Sequence, residues 1–167
     1  MKQITKFFVL AIVMVAFSAS TFAQVNAPTT ASATIVAPIA ITKGTDMNFG
    51  NVYVSATVAG TVVLAPAGTR TVTGGAGLPG VAGTVTAATF TVTGTAGATY
   101  AITLPASVTI TGPATMTVDV FTSTPSGAGL LTGGTQNLQV GATLNVAAAQ
   151  LTGLYTSANF NVTVNYN

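Results

Sequence analysis

Few side chains in this sequence could do chemistry. The 167 residues contain no histidine, cysteine or glutamate, and the only carboxylates are Asp46 and Asp119. Two carboxylates in one cleft could hydrolyse a glycosidic bond, and Asp46 with Asn48 and Asn51 could offer oxygen ligands to Ca²⁺, although one carboxylate makes a poor site. Asp46 stands in a turn-forming sequence, and Asp119 stands between two valines on the expected solvent side of a strand. Because no other base, nucleophile or metal ligand accompanies them, we predict a protein that is not an enzyme and uses no cofactor.

Two further motifs match binding or modification signatures. Residues 75–80 follow the glycine pattern of a dinucleotide-binding loop, but Pro79 interrupts the pattern and no helix-forming sequence follows. We therefore interpret the stretch from Gly74 to Gly83 as a loop. Asn161 begins a glycosylation acceptor sequence, but it lies within a predicted strand, whereas acceptors are expected in surface loops.

The charged residues argue against nucleic acid as a partner. Hydrophobic residues make up 49% of the chain and charged residues only 4%, whereas soluble domains are about a quarter charged. Lys2 and Lys6 lie in a segment that we expect to be removed, so Lys43 and Arg70 balance the two aspartates in a neutral mature chain. Two cations do not make the basic patch that phosphate binding needs. A surface with so little charge either belongs to a protein that self-associates or takes its polarity from hydroxyl groups.

Residues 1–23 have the pattern of a secretory signal peptide. Lys2 and Lys6 give a basic start, residues 7–17 form an unbroken apolar run, and small residues precede the cleavage site. The apolar run is shorter than the roughly 20 residues of a membrane-spanning helix, so we expect cleavage rather than anchoring. We predict a secreted protein, extracellular or at the cell surface, with one mature domain over residues 24–167 and no integral membrane segment.

The mature sequence has the pattern of strands throughout. It is rich in Thr and Val, it alternates apolar and polar residues with a period of two, and Gly and Pro interrupt it at short intervals. The predicted strands cover residues 31–41, 61–65, 88–93, 100–104, 108–111, 116–121, 138–140, 144–146 and 160–167. This spacing is typical of an all-β domain of about eight to ten short strands.

The two ends of the mature chain are the candidates for strand pairing between subunits. Residues 24–42 begin with a polar lead and then alternate, and Pro38 limits them to an edge strand or a bulge. One face of this segment carries Ile35, Ile39 and Ile41. One face of the last strand carries Phe160, Val162, Val164 and Tyr166. Each segment is either an ordinary edge strand of its own sheet or a strand that pairs with a neighbouring subunit. Charged residues normally guard exposed edges, so their scarcity favours pairing between subunits.

Several short phrases, in a fixed order, resemble a family of bacterial secreted proteins. They are residues 47–52 (MNFGNV), 60–64 (GTVVL), 90–94 (FTVTG), 100–105 (YAITLP), 138–144 (LQVGATL) and the ending from 153 to 166. The family is domain of unknown function 4402, and the resemblance covers most of residues 31–167. It implies no particular activity.

The ending is also similar to that of chaperone–usher fimbrial subunits. Those subunits finish with an alternating strand and a penultimate Tyr, which a periplasmic chaperone recognises. Tyr166 fits that position, Gly153 stands one residue from the place of the usual Gly, and the usual pilin disulfide is missing. The similarity implies a periplasmic chaperone and related surface subunits as partners.

The combined hypothesis is a single immunoglobulin-like or pilin-like β-sandwich. We expect it to be a structural subunit of a surface filament or extracellular matrix, assembled by β-strand pairing. The alternative is a monomeric adhesion module that recognises a glycan or a protein through its loops. Tyr53 and Tyr155 are the only loop-adjacent aromatic candidates for such a site.

Overall fold

The computed structural model describes residues 24–167, so the predicted signal peptide lies outside the described residues. The chain divides into two compact units at residues 34 and 35. The described part of the first unit, residues 24–34, contains no strand or helix. Among the described residues, no helix has the length and apolar character needed to cross a bilayer.

The second unit holds thirteen strands. They are β1 Ala40–Lys43, β2 Tyr53–Val54, β3 Gly60–Leu64, β4 Arg70–Gly74, β5 Ala76–Gly77, β6 Ala88–Thr93, β7 Thr99–Thr103, β8 Ser107–Thr111, β9 Thr115–Thr124, β10 Ala128–Leu130, β11 Thr135–Val146, β12 Thr156–Ser157 and β13 Thr163–Tyr166. A short 3₁₀ turn, Thr132–Gly134, connects β10 to β11.

The long strand β11 organises the main sheet. Its first half pairs antiparallel with β6, its second half pairs with β3, and β9 pairs along its other edge. The sheet runs in the order β1-β6-β11-β9-β8-β12, with β4 added beyond β3. Strands β10, β7 and β13 form a separate three-stranded sheet, and β2 pairs with β5.

Two buried clusters lie against this main sheet. The first joins β6 and β11 to β7 and β13 through Ala88, Val92, Tyr100, Leu131, Leu138, Val140 and Val164. The second contains Val62, Ala76, Val118, Ala142, Leu144 and Val146. Because the first cluster packs strands of two sheets face to face, the architecture is an antiparallel β-sandwich. The predicted all-β sandwich is therefore confirmed.

Four of the predicted strands lie within one residue of their predicted bounds. The strand expected at 88–93 is β6, and those expected at 61–65, 100–104 and 108–111 are β3, β7 and β8 within one residue. The expected strand at 31–41 is wrong for most of its length, because β1 begins only at Ala40. Pro38 has no N–H to donate and a fixed φ, so the hydrogen-bonded ladder starts after it.

Two glycine-containing stretches also differ from the sequence prediction. The strands expected at 138–140 and 144–146 are one strand, which continues through Gly141. A Cβ at this position would overlap the Leu64 carbonyl, so the glycine allows the close approach without ending the strand. The predicted loop from Gly74 to Gly83 contains the buried strand β5. A Cβ at Gly77 would overlap the ring of Tyr53, which lies in the paired strand β2.

Candidate functional site

The isoleucines of the N-terminal segment have different environments. Ile35 is 97% exposed and its neighbour Val36 is 56% exposed, and neither lies in a strand. Ile39 and Ile41 are half-buried and pack against the first buried cluster. The structure therefore separates Ile35 from the two isoleucines with which it was expected to share a face.

The predicted segment 24–42 contains two structurally different parts. Residues 40–43 form the edge strand β1, which pairs with β6 of the same chain and places Ile41 opposite Val92. Residues 24–39 form no strand. The last part of the segment thus pairs within its own chain along one edge, and residues 24–39 pair with no strand of the described chain.

The last strand alternates as the sequence indicated. Strand β13 pairs antiparallel with β7 and places Val164 opposite Ile102. The predicted face points inward: Val164 is buried, and Phe160, Val162 and Tyr166 are half-buried. The ring of Phe160 packs against that of Phe121, with centroids 5.4 Å apart. The strand begins at Thr163, so Phe160 and Val162 lie in the approach to it.

The hydroxyl of Tyr166 ties the end of the chain to two distant segments. Its oxygen accepts a hydrogen bond from the Thr95 amide at 2.7 Å and donates one to the Ala37 carbonyl at 2.8 Å. A Cβ at Gly94 would overlap that oxygen, so the glycine makes room for it. The penultimate tyrosine therefore holds the segment before β1 against the end of β13.

The two carboxylates lie on different elements. Asp46 follows β1, and its side chain accepts a hydrogen bond from the Lys43 ammonium at 2.7 Å. Asp119 lies in β9. In residues 24–167 there is no group of three or more His, Cys, Asp or Glu side chains that could hold a metal ion.

The asparagines considered as Ca²⁺ ligands take part in a folded loop. The Asn48 side-chain oxygen accepts a hydrogen bond from the Gly50 amide at 2.8 Å, and Gly50 has φ +67°. The Asn51 side-chain amide donates to the Val81 carbonyl at 3.1 Å. The Arg70 guanidinium donates to two carbonyls of the loop, those of residues 49 and 51. The MNFGNV phrase therefore builds a loop that Arg70 ties to β4.

Sequence reasoning missed an ordered polar face on the main sheet. Side chains of β4, β3, β11, β9 and β8 that point away from the second buried cluster form two cross-strand rows, which we call the threonine face. The first row is Thr73, Thr61, Asn145, Thr117 and Thr109, and the second is Thr71, Val63, Thr143, Asp119 and Ser107. The signal in the sequence was the period-two spacing of hydroxyls, as in residues 107–111 (SVTIT) and 115–119 (TMTVD).

Fold and contacts together define an antiparallel β-sandwich with two exposed apolar residues, Ile35 and Val36, before its first strand and with a polar sheet face. The chain belongs to the family described as Domain of unknown function (DUF4402), whose model matches residues 39–166. The family expected from the sequence phrases is confirmed, and the matched range begins after Pro38. Neither the search of curated proteins nor the search of solved structures found a match to this chain.

Proposed function

We propose that this protein is an exported structural subunit of a surface filament or extracellular matrix, assembled by β-strand pairing. The observation that carries the proposal is the segment before β1, which exposes Ile35 and Val36 without belonging to a strand. Burial of such a side chain contributes about 1.5–3 kcal/mol. A partner that pairs with this segment could therefore gain both apolar burial and backbone hydrogen bonds.

The edges that could accept such a segment carry little charge. In the described residues β4 has a strand on one side only, and its single charged residue, Arg70, donates to loop carbonyls. Strand β13 (TVNY) also pairs on one side only and has no charged residue. Natural edge strands are usually protected by charges, which repel an incoming strand. These two edges have little of that protection, which supports pairing with another subunit.

The remaining parts of the proposal concern chemistry and partners. The support for a non-catalytic role is that the sequence has no histidine, cysteine or glutamate to complete a site with Asp46 or Asp119. Export is supported by the pattern of residues 1–23, and a periplasmic chaperone as partner rests on the similarity of the ending to fimbrial subunits. The second candidate, an adhesion module, is favoured by the threonine face.

The first experiment compares unboiled and boiled protein recovered from the cell surface on a denaturing gel and images it by negative-stain electron microscopy. The parent should give a heat-sensitive ladder and visible fibres. Deletion of residues 24–36 should abolish both, because it removes the exposed apolar residues and spares Ala37 and β1. Val81 and Leu154, which are 76% and 82% exposed in loops, supply the matched control V81S/L154S, which should keep the ladder. A single monomer band in every lane without fibres, or fibres that survive the deletion, would contradict the proposal.

The acceptor edge can be mapped by disulfide trapping, since the chain contains no cysteine. Subunits carrying I35C are mixed with subunits carrying T71C, on the β4 edge, or N165C, on the β13 edge. A dimer with T71C identifies β4 as the acceptor, and a dimer with N165C identifies β13. S126C, which lies between β9 and β10, is a third partner and serves as the control for random collision. Equal trapping by all three partners would mean that Ile35 does not pair with a particular edge.

A further inference from the structure

Four residues in the first row of the threonine face line an open depression of about 520 Å³, which is within the size range of small-molecule sites, roughly 300–1,000 Å³. It lies where β3, β4, β9 and the end of β11 meet. Its polar side chains are those of Thr61, Thr73, Thr115, Thr117, Asn145 and Gln150, and its apolar side chains are those of Ala59, Met116, Val146 and Ala147. No charged and no aromatic residue of the described chain lines it.

The regular placement of these groups follows from sheet geometry. The alternate residues of the same strands, such as Val62, Leu144 and Val118, are buried in the second cluster, so the hydroxyls must face outward. Neighbouring strands lie about 4.8 Å apart, and side chains two residues apart on one strand lie about 6.7 Å apart. The depression therefore presents hydroxyl and carboxamide groups at repeated, short intervals.

Several of the lining side chains are held by hydrogen bonds. The hydroxyls of Thr61 and Thr73 lie 2.7 Å apart. The Asn145 amide donates to the Thr117 carbonyl at 3.3 Å. The Gln150 amide donates to the Tyr155 hydroxyl at 3.0 Å. Groups that are already ordered lose less conformational entropy when a ligand binds, so this arrangement favours recognition of a polar partner.

We propose that the depression binds an uncharged glycan. Its hydroxyls and carboxamides both donate and accept hydrogen bonds, as the hydroxyls of a sugar do. Asp119 lies in the neighbouring row, two residues along β9 from Thr117, and its negative charge disfavours sulfated and uronate-containing glycans. Without an aromatic ring to stack on the sugar, binding depends on hydrogen bonds, so single sites bind weakly and discriminate by hydroxyl arrangement. The inference does not require that subunits polymerise.

The test is an array of neutral, sulfated and uronate-containing glycans probed with the mature protein, residues 24–167. The parent should bind at least one neutral glycan and no sulfated one. T61V/T117V removes two hydroxyls and keeps β-branched side chains, and it should bind that glycan at least about fivefold more weakly. The control T91V/T163V removes two exposed hydroxyls outside the depression and should bind as the parent does. D119N should begin to bind sulfated glycans.

Three outcomes would overturn the inference. They are binding of no neutral glycan, a preference of the parent for sulfated glycans, and unchanged neutral binding in T61V/T117V. Thermal unfolding shows whether the variants fold. If T61V/T117V does not fold, Q150A serves in its place, because Gln150 lies outside the strands and its loss should also weaken neutral binding. Fibres that bind no glycan would refute this inference alone, and a glycan-binding monomer would refute the filament alone.

Discussion

Replacing Tyr166 by Phe removes one oxygen that joins three parts of the chain. That oxygen bonds the Thr95 amide at 2.7 Å, 71 residues away, and the Ala37 carbonyl at 2.8 Å, 129 residues away. A net hydrogen bond contributes about 0.5–1.5 kcal/mol. Two such bonds together contribute about 1–3 kcal/mol. In Y166F the Ala37 carbonyl still accepts a weaker bond from the Thr95 hydroxyl at 3.3 Å, so the loss of stability should lie near the middle of that range. We expect Y166F to lower the free energy of unfolding by about 2 kcal/mol.

Urea and thermal unfolding of residues 24–167 measure this loss. For a domain of this size, about 2 kcal/mol corresponds to a Tm roughly 5–10 °C lower. The matched control is Y155F. The Tyr155 hydroxyl also makes two hydrogen bonds, but both are local, to Leu151 and Gln150. Since they close only short loops, Y155F should lose less than about 1 kcal/mol.

Gly94 supplies an independent check on the same oxygen. A Cβ there would overlap the Tyr166 hydroxyl and would lie 2.9 Å from a methyl carbon of Leu131. G94A should therefore destabilise the parent, and it should cost at least about 0.5 kcal/mol less in the Y166F background, where the oxygen is absent. Strictly additive effects, or a Y166F variant as stable as the parent, would refute the reasoning.

Three other substitutions have expected outcomes. Burial raises the pKa of the Tyr100 phenol above its ordinary value of 10.0. The contribution of this group to stability is therefore fully present below about pH 10 and is lost as pH rises further. Between about pH 9 and pH 11 the free energy of unfolding in urea should fall in the parent and fall less in Y100F. Val120 is exposed and has φ +45°, a conformation that glycine adopts more readily than valine. V120G should therefore leave the unfolding midpoint unchanged or raise stability by up to about 1 kcal/mol. A lower midpoint would contradict a positive φ at residue 120. D46N breaks only the exposed pair with Lys43 and should change stability by less than about 0.5 kcal/mol at low salt, as measured by urea unfolding.

Local patterns were sufficient to predict part of this fold. Strand β6 and the inward face of β13 were predictable because alternation and β-branched residues act over a few neighbouring positions. Strand β5 was not, because its pairing with Tyr53 and Val54 depends on residues more than twenty positions away. The continuation of β11 through Gly141 likewise depends on the close approach of Leu64.

The candidate sites show the same division. The alternating hydroxyls of Thr71 and Thr73 are visible in the sequence. The alignment of Thr73 with Asn145 and Thr109, and of Thr71 with Thr143 and Ser107, follows from pairings across five strands. The exposure of Ile35 could not be predicted either. Alternation predicts which residues share a face, but it does not show whether another sheet covers that face. Register and coverage are long-range properties, so a single sequence leaves them undetermined.

Strand β11 has a consequence for how the protein opens. It contributes to both buried clusters, with Leu138 and Val140 in the first and Ala142, Leu144 and Val146 in the second. If one half of β11 came apart, the strands around the other half would lose part of their pairing and of their buried contacts. The second unit should therefore unfold in one cooperative transition, with equal calorimetric and van't Hoff enthalpies. Such a chain, which has no cysteine and therefore no disulfide, would expose no half-open form to a protease, and its resistance to cleavage would follow its global stability.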